Sequence, residues 1–438
     1  MRISRFYLML IILFVATSLS CKKKSVVTSP STPDSSRTQV TFPADNQDIV
    51  DIVASISEDS LRCHVETLVG FYTRHTNADT ISSERGIGAA RRWVYRKFQE
   101  ISVTSGGRLE VYYENFSATI LGAPGLHRNV VARLPGSVTP EVQILVSGHY
   151  DSRTLDRRDA AGFAPGANDD GSGTAAVIEL ARVLSPLEFR STLLFVAFTG
   201  EEEGLYGSRH YAEAAKHRGD RIIAMITNDM IGNIVGGSGN IDSSRVRCFS
   251  DDPMESPNRQ LARYIELQGE AYVPDFNVDM ILARDRPGRG GDHLAFNEQG
   301  FTAVRLTDPE DNLNHQHNEN DLSEFMSFPY FRKVVQINAA FLASLAWAPP
   351  TPTGLSIQEQ SSGHFSLRWN GVADDGTDVR YLIALRLINS TTYDSLLDAG
   401  ESSEFNLSNI DSPMLVSVAA RGSDENESLF SLEAIIGQ

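Results

Sequence analysis

The chain has 438 residues, of which 41% are hydrophobic and 22% charged, proportions that suit one large globular domain and one small one. A formal net charge of −17 makes it a poor binder of nucleic acid, and no such partner is expected. Three cysteines, none at zinc-finger spacing, exclude a disulfide framework.

Residues 1–20 read as a signal peptide: Arg2 and Arg5 precede the apolar run Phe6–Ala16, which is too short to span a membrane. Its removal takes both arginines with it and brings the charge from −17 to −19. Ser18-Leu19-Ser20-Cys21 resembles the end of a bacterial lipoprotein signal, with small residues before the cysteine and Leu19 one place later than the preferred position. The expectation is an exported protein, anchored in the cell envelope by a lipid on Cys21 and touching the membrane only there; simple secretion is the alternative. Residues 21–45 are rich in Ser, Thr, Pro and Lys and read as a flexible tether.

Two amphipathic helices follow, with Leu61, Val65, Leu68, Val69 and Tyr72 and then Ile87, Ala90, Val94, Phe98 and Ile101 at helical spacing. His75 between them reads as a surface or structural residue. Strands are predicted at Val111–Phe116 and Asn129–Leu134. The apolar run Ile144–Val146 predicts a strand buried on both faces. A helix over Thr174–Leu184, a strand over Leu193–Phe198, a helix over Tyr206–Lys216 and a strand over Ile222–Ile226 come next. A strand near Thr302–Leu306 and a long helix over Val334–Leu345 close the large domain, taken as residues 46–347. The fold class is therefore α/β, with a mostly parallel central sheet covered by helices on both faces.

Polar residues gather where these strands end. His149 and Asp151 follow the first buried strand; Asn168-Asp169-Asp170 lie between Gly166 and Gly171. Glu201-Glu202-Glu203 follow the second strand and Asp229 the third, and His315 and His317 lie in a late polar loop. A single His-x-Asp pair is more often a polar turn. Three strands delivering acids or histidine to the carboxyl rim, where open α/β sheets build their sites, point instead to a divalent metal such as zinc.

The strings GHYDS, GANDDGSG, GEEEGLYGS, NDMIGN and HNEND, in that order between about Ser57 and Leu345, resemble the co-catalytic zinc aminopeptidases of peptidase family M28. The resemblance implies two zinc ions and peptide or protein substrates. It assigns His149 and Asp229 to one ion, Glu202 and a late histidine to the other, and Asp169 to both. Glu201 becomes the general base, and Asp151 a residue that hydrogen-bonds the other nitrogen of His149. Asp170 shapes the backbone beside the bridge, and Glu203 is left to solvent. His317, four residues before Asp321, fits the family spacing better than His315, although Asn318 replaces the usual hydroxyl residue; Asp292-His293 becomes a wall of the site. The residues between Gly236 and Arg289 are expected to build the substrate pocket.

Two other readings use the same fold. A glutaminyl cyclase-like acyltransferase with one zinc is disfavoured because GEEEGLYGS runs on without insertion. A catalytically inactive binding protein is disfavoured by the complete ligand set. After the proline-rich stretch Ala348–Thr353, residues 353–438 read as a small β-sandwich resembling a fibronectin type III module, through Trp369, the Tyr381 strand and the segment from Val416. It carries no catalytic cluster, so a spacer or adhesion role is expected. The oligomeric state is not legible in the sequence.

Overall fold

The computed structural model describes residue 42 and residues 46–250, 256–285, 290–372 and 378–437. The signal peptide, Cys21 and nearly all of the tether lie outside the described residues. Helices α1 (Gln47–Ala54), α2 (Glu58–Val69) and α3 (Gly86–Thr104) come first. Asn46 and Ser57 start the first two by accepting backbone N–H groups that have no partner within the helix. A hairpin of β1 (Glu110–Ile120) and β2 (Ala123–Leu134) leads into β3 (Thr139–His149), α4 (Gly171–Leu184), β4 (Ser191–Phe198), α5 (Tyr206–Arg218) and β5 (Arg221–Asn228). Then come β6 (Arg245–Phe249), α6 (Pro257–Tyr272), β7 (Asn277–Ile281), α7 (His293–Glu298), β8 (Ala303–Thr307) and α8 (Phe328–Trp347).

The eight strands form one sheet in the order β1-β2-β4-β3-β5-β8-β6-β7. Its centre, β4-β3-β5-β8, is parallel, while β2 joins β4 and β6 joins β8 antiparallel. Successive side chains on a strand point to opposite faces, and both faces are covered. Ile144, Val146, Leu193 and Phe195 enter the core beneath α2, α3, α4 and α8. Leu145, Leu194, Val196 and Phe198 enter the smaller core beneath α5 and α7. This is why these strands read as continuous apolar runs.

Two glycines let the end of β3 reach the start of α4. A Cβ on Gly148 would lie 2.4 Å from the Gly173 carbonyl carbon, and one on Gly173 would lie 2.0 Å from the Asn228 carbonyl oxygen. The three rim segments therefore meet at backbone contact.

The C-terminal strands β9 (Thr353–Ser361), β10 (His364–Asn370), β11 (Arg380–Leu387), β12 (Ser395–Gly400), β13 (Glu404–Leu407), β14 (Met414–Arg421) and β15 (Ala434–Ile436) form two antiparallel sheets, β13-β10-β9 and β12-β11-β14-β15. Phe365, Leu367 and Trp369 face Ile383, Val416 and Val418 across the sandwich core.

The sandwich is not a detached spacer. The outer face of its four-stranded sheet, with Leu382, Ala384 and Ala419, joins the large domain's core. Polar residues of α6 that would otherwise face water are buried against it. Gln260 Nε2 donates to the Ser431 carbonyl at 2.8 Å, Gln268 Nε2 to Glu427 at 2.7 Å, and Arg263 Nε to the Thr391 carbonyl at 2.7 Å. Glu433 accepts a two-pronged bond from Arg386, 2.6 Å on each side, and lies 3.4 Å from Arg263, all three side chains at most 2% exposed. Pro349 and Pro352 of the supposed linker are buried. Phe42, inside the supposed tether, is buried between Tyr264 and Phe430. Among the described residues, Cys63 and Cys248 are unpaired.

Candidate metal centre

The acids and imidazoles converge on the carboxyl rim of β3, β4 and β5. His149, the last residue of β3, is 1% exposed. Its Nε2 makes no hydrogen bond and lies 3.4 Å from Asp169 Oδ1, 3.8 Å from Glu201 Oε2 and 3.9 Å from Asp229 Oδ1. On the other side of Asp169, His317 Nε2 lies 3.0 Å from Asp169 Oδ2 and 3.1 Å from Glu202 Oε2. Two triads result, His149–Asp169–Asp229 and Asp169–Glu202–His317, each with its ligand atoms within 4.8 Å of one another. They share Asp169, which turns one oxygen to each. Imidazole nitrogen and carboxylate oxygen in this number suit zinc, and a cation would satisfy the buried imidazole nitrogen that has no hydrogen bond. The residues fit the metal.

The surrounding frame holds the triads. Asp170 caps α4 by accepting from the Gly173 amide at 2.8 Å, and it also accepts from the His149 amide at 2.9 Å. Asp321 accepts from the amides of Asn168 and Asp169 at 2.8 and 2.9 Å. Buried Arg305 sets its Nε 3.2 Å from the outer oxygen of Asp229. Arg153 donates to Glu202 Oε2 at 2.8 Å.

Asp151 works differently from the expectation. Its carboxylate is 3.6 Å from His149 Nδ1, too far for a hydrogen bond, while its backbone carbonyl sits at 3.2 Å. The carboxylate instead accepts from the amide of Glu202 at 3.2 Å and from Thr76 Oγ1 at 3.3 Å, so it holds the glutamate turn in place. Glu203 is not in solvent: its side chain is fully buried, 3.3 Å from His75 Nε2. That makes His75 a buried structural residue, with Nε2 bonded to the Arg157 carbonyl at 2.9 Å and Nδ1 accepting from Asn77.

His315 lies outside both triads, its ring 4.4 Å from that of Phe325. Asp292 and His293 belong to neither triad; Gly290, Gly291 and Leu294 wall the cleft. That cleft, of about 440 Å³, opens over Asp169, Glu201, Glu202 and Asp229. A second, narrower recess beside Asp169 is walled by Met230, Leu322, Phe325 and Met326. None of the described residues between 236 and 289 lines either. They form β6, α6 and β7 instead, which widen the sheet and carry the sandwich.

Charge follows from burial. Burial pushes the Glu201 carboxyl well above its usual range, and Asp229, Glu202 and Asp292 add to the push against His149. Burial opposes protonation of His149, but Asp151 and Asp169 outweigh it and hold the imidazole well above its usual value. Asp169 is held well below the usual carboxylate range despite burial, because both imidazoles face it.

Sequence reasoning missed Arg305 and Arg153. Arg305 was nonetheless detectable as the one charged residue inside an apolar strand, Ala303–Thr307. Arg153, in an irregular loop, gave no such signal.

Residues 129–342 match the model of Peptidase family M28. A probable zinc metalloprotease of Leptosphaeria maculans is 34% identical, over 88% of this chain and 96% of that protein. Among solved structures, the Legionella pneumophila LapA aminopeptidase superposes with a TM-score of 0.56 at 21% identity, covering 71% of this chain and 78% of that one. Porphyromonas gingivalis glutaminyl cyclase does so at 0.52 and 18%, covering 66% and 98%. At these identities the two structures share the fold, and the fold alone does not choose between their chemistries.

Proposed function

Given that the chain belongs to peptidase family M28 and is a zinc metallopeptidase, we propose that it is an exported aminopeptidase that holds two zinc ions and removes N-terminal residues from peptides. The observation that carries this reading is the shared carboxylate: Asp169 turns one oxygen to each of two His/acid triads, as a pair of adjacent dications requires. In it, His149 and Asp229 would hold one ion, Glu202 and His317 the other, and Asp169 would serve both.

Zinc so held supplies Lewis acidity, acidifying water and polarising the scissile carbonyl. Glu201 stands outside both triads, its carboxyl beside the metal ligands rather than among them; it takes a proton from the attacking water and delivers it to the leaving amine. Asp151 holds the glutamate turn by its amides, and Arg305 keeps Asp229 turned toward His149. The recess beside Asp169, walled by Met230, Leu322, Phe325 and Met326, supports exo-cleavage. The signal-like residues 1–20 and Cys21 support export and lipid anchoring. In the same reading the sandwich is a fibronectin type III-like module that braces α6.

The test is zinc content together with hydrolysis of aminoacyl p-nitroanilides by the purified full chain. About two zinc ions per chain, chelator-sensitive release, and no cleavage of N-acetylated substrates are expected. Endopeptidase cleavage of blocked peptides would remove the exo assignment, and one zinc without release would shift the reading to cyclase chemistry. Asp169→Asn is expected to lower the occupancy of both ions, whereas Asp229→Asn lowers that of one. Equal zinc content in wild type and Asp169→Asn would end the bridging role.

Zinc uptake is also expected to release protons. Burial works against protonation of His317, but Glu202 and Asp169 push it up to about 10, and His149 is likewise raised. Zinc must displace those protons, so its affinity weakens as pH falls, by about tenfold per pH unit for each proton displaced. Competition with a chromogenic chelator between pH 6 and 8 reads this directly. A flat profile would count against the imidazoles as ligands.

A further inference from the structure

A separate cavity of about 470 Å³ lies among the start of α3, the β1–β2 turn and the loop from Thr76 to Thr80, with Tyr150 and Thr199 on its wall. Hydrolysis at the metal centre does not use it. Arg91 from α3 and His127 and Arg128 from β2 line it. Arg91 is 8% exposed and His127 7%. The Nε atoms of Arg91 and Arg128 and Nε2 of His127 are buried with no hydrogen-bond partner. Among the described residues neither guanidinium has an ion-pair partner; Arg128 only overlies the Tyr113 ring, 5.2 Å from its centroid.

An arginine cannot shed its proton, and burying its charge without a counter-charge is costly. Other deeply buried arginines of this protein are matched. Arg74 donates to four backbone carbonyls, Arg305 faces Asp229 and Asp285, and Arg386 grips Glu433. The exception is Arg91, buried in the wall of this cavity with the half-buried Arg128 also on that wall.

We propose that the cavity is an oxyanion-binding site, in which Arg91 and Arg128 grip a carboxylate or phosphate group. Guanidinium forks match the geometry of both groups. His127 adds a ring nitrogen that can donate or accept according to its tautomer. Ala78, Ile87, Pro124 and Leu126 complete the wall, an apolar lining for carbon attached to the oxyanion. Thr76, also on the wall, donates to Asp151 Oδ2, so the site adjoins the frame of the metal centre while remaining distinct from its cleft. The inference stands on the unpaired cations and does not depend on the peptidase reading.

The experiment is thermal unfolding of the zinc-loaded full chain in Tris chloride, titrated with inorganic phosphate or succinate against sodium chloride at equal ionic strength. Either oxyanion is expected to raise Tm in a concentration-dependent way. Arg91→Gln and Arg128→Gln should each raise the apparent Kd at least about tenfold, the loss of one bidentate charged contact. In Tris chloride alone, Arg91→Gln should melt no lower than wild type, because it removes an uncompensated charge; a purely structural arginine would lower Tm equally in every buffer. Oxyanions that bind at the zinc site act on wild type and variants alike, so the difference between the curves isolates this cavity. A shift with succinate alone identifies an organic carboxylate, and one with phosphate alone a phosphate group. No shift with either, or equal shifts in wild type and both variants, overturns the site.

Discussion

Glu201→Gln is expected to bind zinc and unfold as the wild type does, yet to lose turnover by about 10²–10⁴-fold, the range typical of removing a general base. Glutamine is nearly isosteric, and the backbone of the turn is held by Asp151 through the Glu202 amide rather than through the Glu201 side chain. Glu201 belongs to neither triad, with Oε2 3.8 Å from His149 Nε2, so its replacement leaves both ligand sets whole. It also removes a carboxyl from a crowd that includes Asp229, Glu202 and Asp292, which relieves like-charge repulsion. What the amide cannot do is accept the water's proton. A variant that keeps more than a tenth of wild-type kcat with full zinc would end the assignment. Lost zinc would mean that Glu201 serves as a ligand.

Breaking the contact between the sandwich and α6 is the second large effect. Glu433→Ala is expected to cost about 3–5 kcal/mol in urea unfolding, the penalty for leaving buried charge uncompensated. Arg386 loses both of its 2.6 Å bonds, and Arg263 its nearest carboxylate. Total stabilities lie near 5–15 kcal/mol, so the loss is a large fraction of the whole. Deleting residues 349–438 goes further. It exposes the apolar partners of Leu382, Ala384 and Ala419 and strands Gln260, Arg263 and Gln268 on α6, and no soluble folded enzyme is expected. A loss below about 1 kcal/mol, or a truncated chain that folds and turns over like the full one, would restore the spacer role that the sequence suggested.

The two variants probe different kinds of legibility. The place of Glu201 at the rim was readable because its signal is local: an apolar strand, a glycine and adjacent acids lie within a few residues, and strand ends in an open sheet share one rim. Glu433 was not readable. It is one acid in a polar tail, and its partners lie 47 residues away on β11 and far upstream on α6.

Local periodicity and motif order by themselves determined the alternation of strands and helices, the two-faced central sheet, and the set of residues that gathers at its rim. Each depends on interactions within a turn or a strand, or on the rule that consecutive βα units wind the same way. Tertiary structure alone decided the rest. It turned the two oxygens of Asp169 to different imidazoles and gave Asp151 the backbone of the glutamate turn rather than His149. It buried Glu203 against His75, and it converted the polar face of α6 into an interface. In each case the partner is remote in sequence, and burial rather than residue type sets what a carboxylate or guanidinium can do.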